Sequence, residues 1–167
     1  LSASNTLTIT TGHQLTLFTG PLYFWYKILD VINKAEAMQQ LDGKHQYVPV
    51  FWMASEDHDF EEINHFFLGE QKVSWESDTT GAVGRMSTTG LDTVLEELTS
   101  YWKNTEKGKE LLSLFADCFL QEGTVGKATR RLVHQLCGAD GIIVGDGDDV
   151  ALKSLFVPVL KAEVSEQ

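Results

Sequence analysis

YVPVFWMA, residues Tyr47 to Ala54, runs directly into SEDHDFEEIN, residues Ser55 to Asn64. A nearly unbroken apolar stretch without alternation suits a strand buried on both faces, as in a parallel sheet. The abrupt change to acidic residues marks the strand's carboxyl end. Pro49 has no N–H to donate, so pairing is expected to begin after it. Upstream, TLTITT (Thr6–Thr11) is rich in β-branched residues and reads as a second strand, ending at Gly12 and feeding a loop from Gly12 to Gly20. Pro21 suits a first helical position. Leu22, Trp25, Leu29 and Ile32, widened by Ile28, Ala35 and Met38, recur at helical spacing and predict a helix over Leu22–Leu41.

Farther along, Gln71 to Gly90 is turn-rich. Val73 and Trp75 alternate with polar neighbours, and Gly81 and Gly84 punctuate, which predicts a β-hairpin. Three helical stretches follow, around Leu91–Leu98, Leu111–Phe119 and Val125–Leu136, the last closed by Gly138 as a left-handed cap. Gly141–Gly145 (GIIVG) reads as another short strand, then the loop DGDD and a helix from about Val150 to Glu163. Strand–helix–strand, then helix–strand–helix, predicts an α/β fold with a parallel sheet and helices on both faces.

The length suits one domain, and 43% apolar residues suit a globular one. No apolar run is long enough to span a membrane, so none is expected as a partner. A net charge of −11 argues against nucleic acid. The one basic cluster, Lys127, Arg130 and Arg131 on a single helix, is either a solvated face or an anion contact. Cys118 and Cys137 show no metal-binding spacing and read as buried thiols in a reducing cytosol. The chain opens on no cationic segment followed by an apolar one, so a secretory signal is not expected. It lacks an initiator Met and stops at Gln167 in what reads as mid-helix, so a fragment is expected, with at least one hydrophobic face left uncovered.

Ligands of parallel sheets bind beyond the carboxyl ends of the strands. Three loops qualify: Gly12–Gly20, Ser55–Asn64 and Asp146–Asp149. The first sets His13 and Gln14 beside a helix start at Gly20–Leu22 whose free N–H groups suit a carboxylate or phosphate; the bland alternative is a structural turn. Neither GxGxxG nor GxxxxGK[ST] is present. The second, SEDHDFEEINH, places five carboxylates and two histidines in eleven residues. His58 between Asp57 and Asp59 suits acid–base work, and the cluster could equally bind a substrate ammonium or a metal, or be a solvated loop. His58 and His65 are not at HExxH spacing. The third resembles the start of a Ca²⁺ loop but has Val157 where the closing acid belongs, so it reads as a strand-end loop with a helix cap.

TGHQLTLFTGPLYFWYK (Thr11–Lys27), VPVFWMASEDHDFEEINH (Val48–His65) and ATRRLVHQLCGADGIIVGDGDD (Ala128–Asp149) together resemble bacillithiol synthase, from about Thr10 to the end. Gln71–Gly123 is much less distinctive. The family pattern TGQQ reads Thr11-Gly12-His13-Gln14 here, so position 13 departs while Gln14 matches. The resemblance implies a partial Rossmann-like core over residues 1–167, with 71–123 as an insertion. It implies the last step of bacillithiol synthesis, a ligase reaction forming an amide between cysteine and the amine of glucosaminyl malate. It further implies a cytoplasmic homodimer joined by a coiled coil beyond this stretch. On that reading His58 and Asp57 are the expected catalytic residues. Gly12, His13, Gln14, Gly20, Tyr23, Asp59 and Asn64 are expected to bind substrate, and no metal is expected. No residue identifies the activating cofactor; only the analogy with class I aminoacyl-tRNA synthetases points to ATP, and no KMSKS signature is present. The alternatives are a metal-dependent hydrolase built on Ser55–His65 and a non-catalytic assembly module.

Overall fold

A computed structural model describes residues 1–165. Glu166 and Gln167, where the chain was read as stopping in mid-helix, lie outside the described residues.

The first strand, β1 (Thr6–Gln14), pairs in parallel with β2 (Gln46–Ala54), and β2 pairs in parallel with β5 (Ile143–Asp146), giving the order β1-β2-β5. The helix α1 (Tyr23–Leu41) makes the first crossover and buries Phe24, Ile28, Val31 and Ala35. Phe24 meets Phe51 of β2 edge-on at 5.1 Å. Burying side chains of this size stabilises the fold by about 1.5–3 kcal/mol each.

Two boundaries differ from expectation. β1 does not stop at Gly12: Gly12, His13 and Gln14 remain in the ladder opposite Trp52, Met53 and Ala54. Pairing of β2 begins at Gln46, before Pro49, which sits opposite Ile9. The β5 ladder starts only at Val50, so β2 has a single strand neighbour at Pro49, where a missing N–H is tolerated.

The helices were expected on both faces of the sheet. Among the described residues they cover one. Pro49, Phe51 and Met53 of β2 are buried, while Trp52 on the opposite side is 38% exposed. The cause lies in the topology. β1, β2 and β5 follow one another in a single direction across the sheet, and right-handed crossovers in one direction stack on one face. The Rossmann-like parallel class stands; its second layer is not formed by these residues.

Between β2 and β5 lie a one-turn helix α2 (Phe60–Ile63), an antiparallel hairpin of β3 (His65–Leu68) and β4 (Gln71–Ser74), and three helices. The hairpin thus opens at His65 rather than Gln71. Its turn passes through Gly69, whose φ of +62° is costly for a residue with a Cβ. The helices are α3 (Leu91–Trp102), α4 (Glu106–Phe119) and α5 (Val125–Cys137). α3 packs chiefly on α4 and β4, α4 on α5, and α5 on β5, so only α5 of the three carries its apolar stripe to the parallel sheet.

Gly138 is not the left-handed cap. It continues at φ −62° into a short turn, and Gly141 at φ +75° takes the left-handed position before β5. Phe18 and Thr19 also have positive φ, 47° and 69°. Left-handed backbone costs a residue with a Cβ about 1–2 kcal/mol. Burial of Phe18 offsets it: the ring stacks on Phe115 at 4.9 Å and meets Phe119 edge-on at 4.9 Å. Thr19 Oγ1 accepts a hydrogen bond from Trp25 Nε1 at 3.0 Å.

The last helix, α6 (Val150–Ser165), has no buried residue.

Candidate active site at the carboxyl edge of the sheet

Gln14 and Asp57 meet where β1 and β2 end. Gln14 Nε2 donates to Asp57 Oδ2 at 2.7 Å and to Glu62 Oε2 at 3.3 Å. Asp57 Oδ1 accepts from the Asp59 N–H at 3.1 Å. The Gln14 amide is the main cause holding the Asp57 carboxyl below the usual carboxylate range, with the Asp59 N–H second. Asp57 is therefore an anion with both oxygens engaged, and the His58 ring is not among its hydrogen-bond partners.

His58 is exposed and shares an open groove of about 700 Å³ with Asp57, Asp59 and the Ser77–Gly81 segment. Asp59 caps α2, its side chain accepting from the Glu62 N–H at 3.2 Å. Asn64 ends α2; its Oδ1 lies 2.9 Å from His65 Nδ1, and its carbonyl accepts from the Trp75 N–H. His13 and Gly12 sit one and two residues back from Gln14 along β1. The Gly12 carbonyl accepts from Lys27 Nζ at 2.7 Å, and Lys27 also lies 5.1 Å over the Tyr23 ring. The His13 ring packs edge-on against Tyr23 and Phe24.

Gly12, Gln14, Asp57, His58 and Asn64 were read as residues of one ligand-binding edge, and Gln14 joins Asp57 there directly. All lie toward one end of the sheet, but the His58 groove is lined by neither Gly12, Gln14 nor Asn64. Gly20 faces elsewhere, into an apolar cavity of about 650 Å³ walled by Phe66, Trp102 and Phe115. That cavity is lined chiefly by apolar side chains, with Thr19 and His65 as its polar members.

Glu62, Ser55 and Arg85 were not singled out individually from the sequence, and Asp146 and Asp148 were read only as a strand-end loop. Glu62 is the second carboxylate on Gln14. Buried Ser55 hydrogen-bonds Asp146, and the Asp148 N–H donates to Ser55 Oγ at 3.1 Å and Asp146 Oδ1 at 3.0 Å. Arg85 pairs with Asp148 through two nitrogens, and Lys153 adds a contact at 2.5 Å. These cations, Arg85 first, bring the Asp148 carboxyl down to about 2. The available signal was position: Ser55 and Asp146 both terminate strands. Among the described residues no three His, Cys, Asp or Glu side chains converge as metal ligands. His58 and His65 line different cavities.

Residues 1–167 match the family described as the N-terminal Rossmann-like domain of BshC in bacillithiol biosynthesis. The chain belongs to this family. It is 44% identical over 167 residues to a protein of Flavobacterium psychrophilum named as a cysteine ligase, BshC, covering 100% of this chain and 32% of that protein. A BshC of Cytophaga hutchinsonii bearing the same name is 45% identical over 100% of the chain and 30% of the relative. A more distant BshC from Bacillus cereus strain G9842 is 28% identical over 99% and 32%. The chain spans about a third of the length of these relatives.

Proposed function

We propose that this chain is the amino-terminal core of a cytoplasmic ligase that forms an amide between the carboxyl of cysteine and the amine of glucosaminyl malate. On this reading residues 71–123 are an insertion into the core, and the full-length protein is a homodimer joined by a coiled coil. Membership of the BshC family supports the reading. So does one local observation: an ionised Asp57, fixed by Gln14, beside an accessible His58 at the ligand-binding edge of a parallel sheet.

The attacking amine must be neutral. The ammonium first gives one proton to water; His58 takes the second onto a ring nitrogen as the nitrogen–carbon bond forms and the activating group leaves the cysteine carbonyl with the bonding electron pair. Asp57, paired first with the substrate ammonium, then faces the imidazolium. Gln14 holds the carboxylate, and Glu62 holds Gln14. Activation of the carboxyl belongs to residues outside this edge. The apolar surroundings of the α1 start do not fit a triphosphate, and no step is assigned to ATP. No observation favours the metal-dependent hydrolase, since the donor set it requires does not converge among the described residues.

The test is turnover of the full-length enzyme, followed as thiol product against pH. His58→Ala and His58→Gln are each expected to lose about 10²–10⁴-fold, with the acidic limb of the profile removed. Near-normal turnover in His58→Gln, with only the substrate requirement raised, would make His58 a binding residue.

A further inference from the structure

The basic residues of α5 gather in a groove that shares no lining residue with the groove of Asp57 and His58. Lys127, Arg130 and His134 lie at i, i+3 and i+7, a single stripe with steps of about 4.5 and 6 Å along the helix axis. Together with Arg131 they line a concavity of about 420 Å³ whose apolar floor is Ile142 and Val144. Val144 belongs to β5, whose only strand partner among the described residues is β2, so its outer edge is open.

A row of cations on a helix is often only a solvated face. Three observations set this one apart. The surface is concave, and its lining sets three cations, Lys127, Arg130 and Arg131, against one carboxylate, Glu122, in a chain of net charge −11. The cations also differ in how they are occupied. Arg131 is neutralised by Asp117 at 2.7 Å and Glu122 at 2.8 Å. Arg130 has one contact, to Asp146 Oδ2 at 3.3 Å, and Lys127 has no side-chain partner among the described residues. Asp146 keeps Ser55 and the Asp148 N–H if Arg130 turns away, so releasing Arg130 strands no carboxylate. The His134 ring is held against the backbone at Gly138, where an added Cβ would stand 2.8 Å from Nδ1.

We infer that the groove between α5 and the outer edge of β5 binds an elongated small polyanion, a diphosphate or a polycarboxylate. Lys127, Arg130 and His134 donate to its charged groups, and Ile142 and Val144 seat its body. Arg131, already neutralised, shapes the wall.

Calorimetric titration of the full-length protein with pyrophosphate and with citrate, free of Mg²⁺ and at fixed low ionic strength, tests this. Gln14→Ala and Asp57→Asn are introduced as background, so that binding at the strand-edge site is not what is read. Saturable binding of at least one probe is expected, weakened about tenfold or more by Lys127→Glu and by Arg130→Glu. Lys34→Glu, on α1 and paired only with Asp30, is expected to change it less than about twofold. A preference for pyrophosphate identifies a phosphorylated ligand, and a preference for citrate a polycarboxylate. No saturation by either probe below about 10 mM, or equal losses in all three variants, would overturn the inference. Lys127 is exposed and its side chain makes no hydrogen bond among the described residues, so Lys127→Glu remains decisive if Arg130→Glu folds poorly.

Discussion

α5 and α6 flank the same strand, β5, and are of similar length, yet one is welded into the core and the other buries nothing. Pattern accounts for the difference. α5 confines Val125, Ala128, Leu132 and Val133 to one side and sets Lys127, Arg130 and His134 on the other, so a single packed surface satisfies it. α6 carries Val150, Leu152, Leu155, Phe156, Val159 and Leu160 around most of its circumference. A helix apolar all round needs cover on more than one side, and a one-layered sheet cannot supply it. The open sheet face bearing Trp52 states the same shortage from the other partner.

The widest expected gap between the two helices comes from leucine truncation. Leu132 is fully buried and Leu155 is 77% exposed. In denaturant melts of the 167-residue chain, Leu132→Ala should cost about 2–5 kcal/mol. Leu155→Ala should stay within about 0.5 kcal/mol. Comparable losses would mean that α6 is packed in solution and the contrast is false.

Backbone substitutions sharpen the contrast at intermediate size. Gly126→Ala in α5 gains helix propensity of about 0.8–1.0 kcal/mol. Its Cβ, however, would stand 2.9 Å from the Gly84 carbonyl, and overpacking of that kind costs about 1–3 kcal/mol. A net loss of about 1 kcal/mol is expected. Pro158 interrupts the α6 ladder with no packing to compensate, so Pro158→Ala should raise helical ellipticity while leaving the melting midpoint of the core unchanged. A shift of that midpoint would show α6 coupled to the core.

The smallest effect concerns the tie at the start of α6. Asp148, paired with Arg85 and Lys153, has its carboxyl lowered from 3.8 to about 2. Its contribution is therefore fully present above the ordinary aspartate range and is lost as pH falls through about 2. Asp148→Asn should be slightly less stable than the parent near neutrality, and the difference should close by about pH 2. A difference that persists there would assign it to something other than the carboxylate charge.

Much of the fold could be read from residues close together in the chain. Helical spacing in Leu22–Leu41 anticipated α1 to within one residue, and the apolar runs of Tyr47–Ala54 and Gly141–Gly145 marked β2 and β5. The candidate site was legible in part. The segment carrying Asp57 and His58 stood out by composition, and Gln14 stood out within a family-like motif. Glu62 was visible in the same acidic segment, but nothing local distinguished it from Glu61. Ser55 and Asp148 were marked only by lying in strand-end loops, and nothing local marked Arg85, because their partners are distant in sequence.

By itself, then, the sequence determined what depends on local periodicity and backbone chemistry: a parallel α/β class, the places of the main helices, and an acidic segment at a strand's end. The tertiary structure alone decided where β1 stops, since Gly12 to Gln14 are strand only because Trp52 to Ala54 lie alongside to accept the ladder. It alone decided that the helices share one face, which follows from strand order and crossover hand rather than from any residue. It alone joined Gln14 to Asp57 across 43 positions and Arg85 to Asp148 across 63. Spacing along a chain records which side of its own helix or strand a residue occupies, and it carries no record of which distant residue will stand opposite.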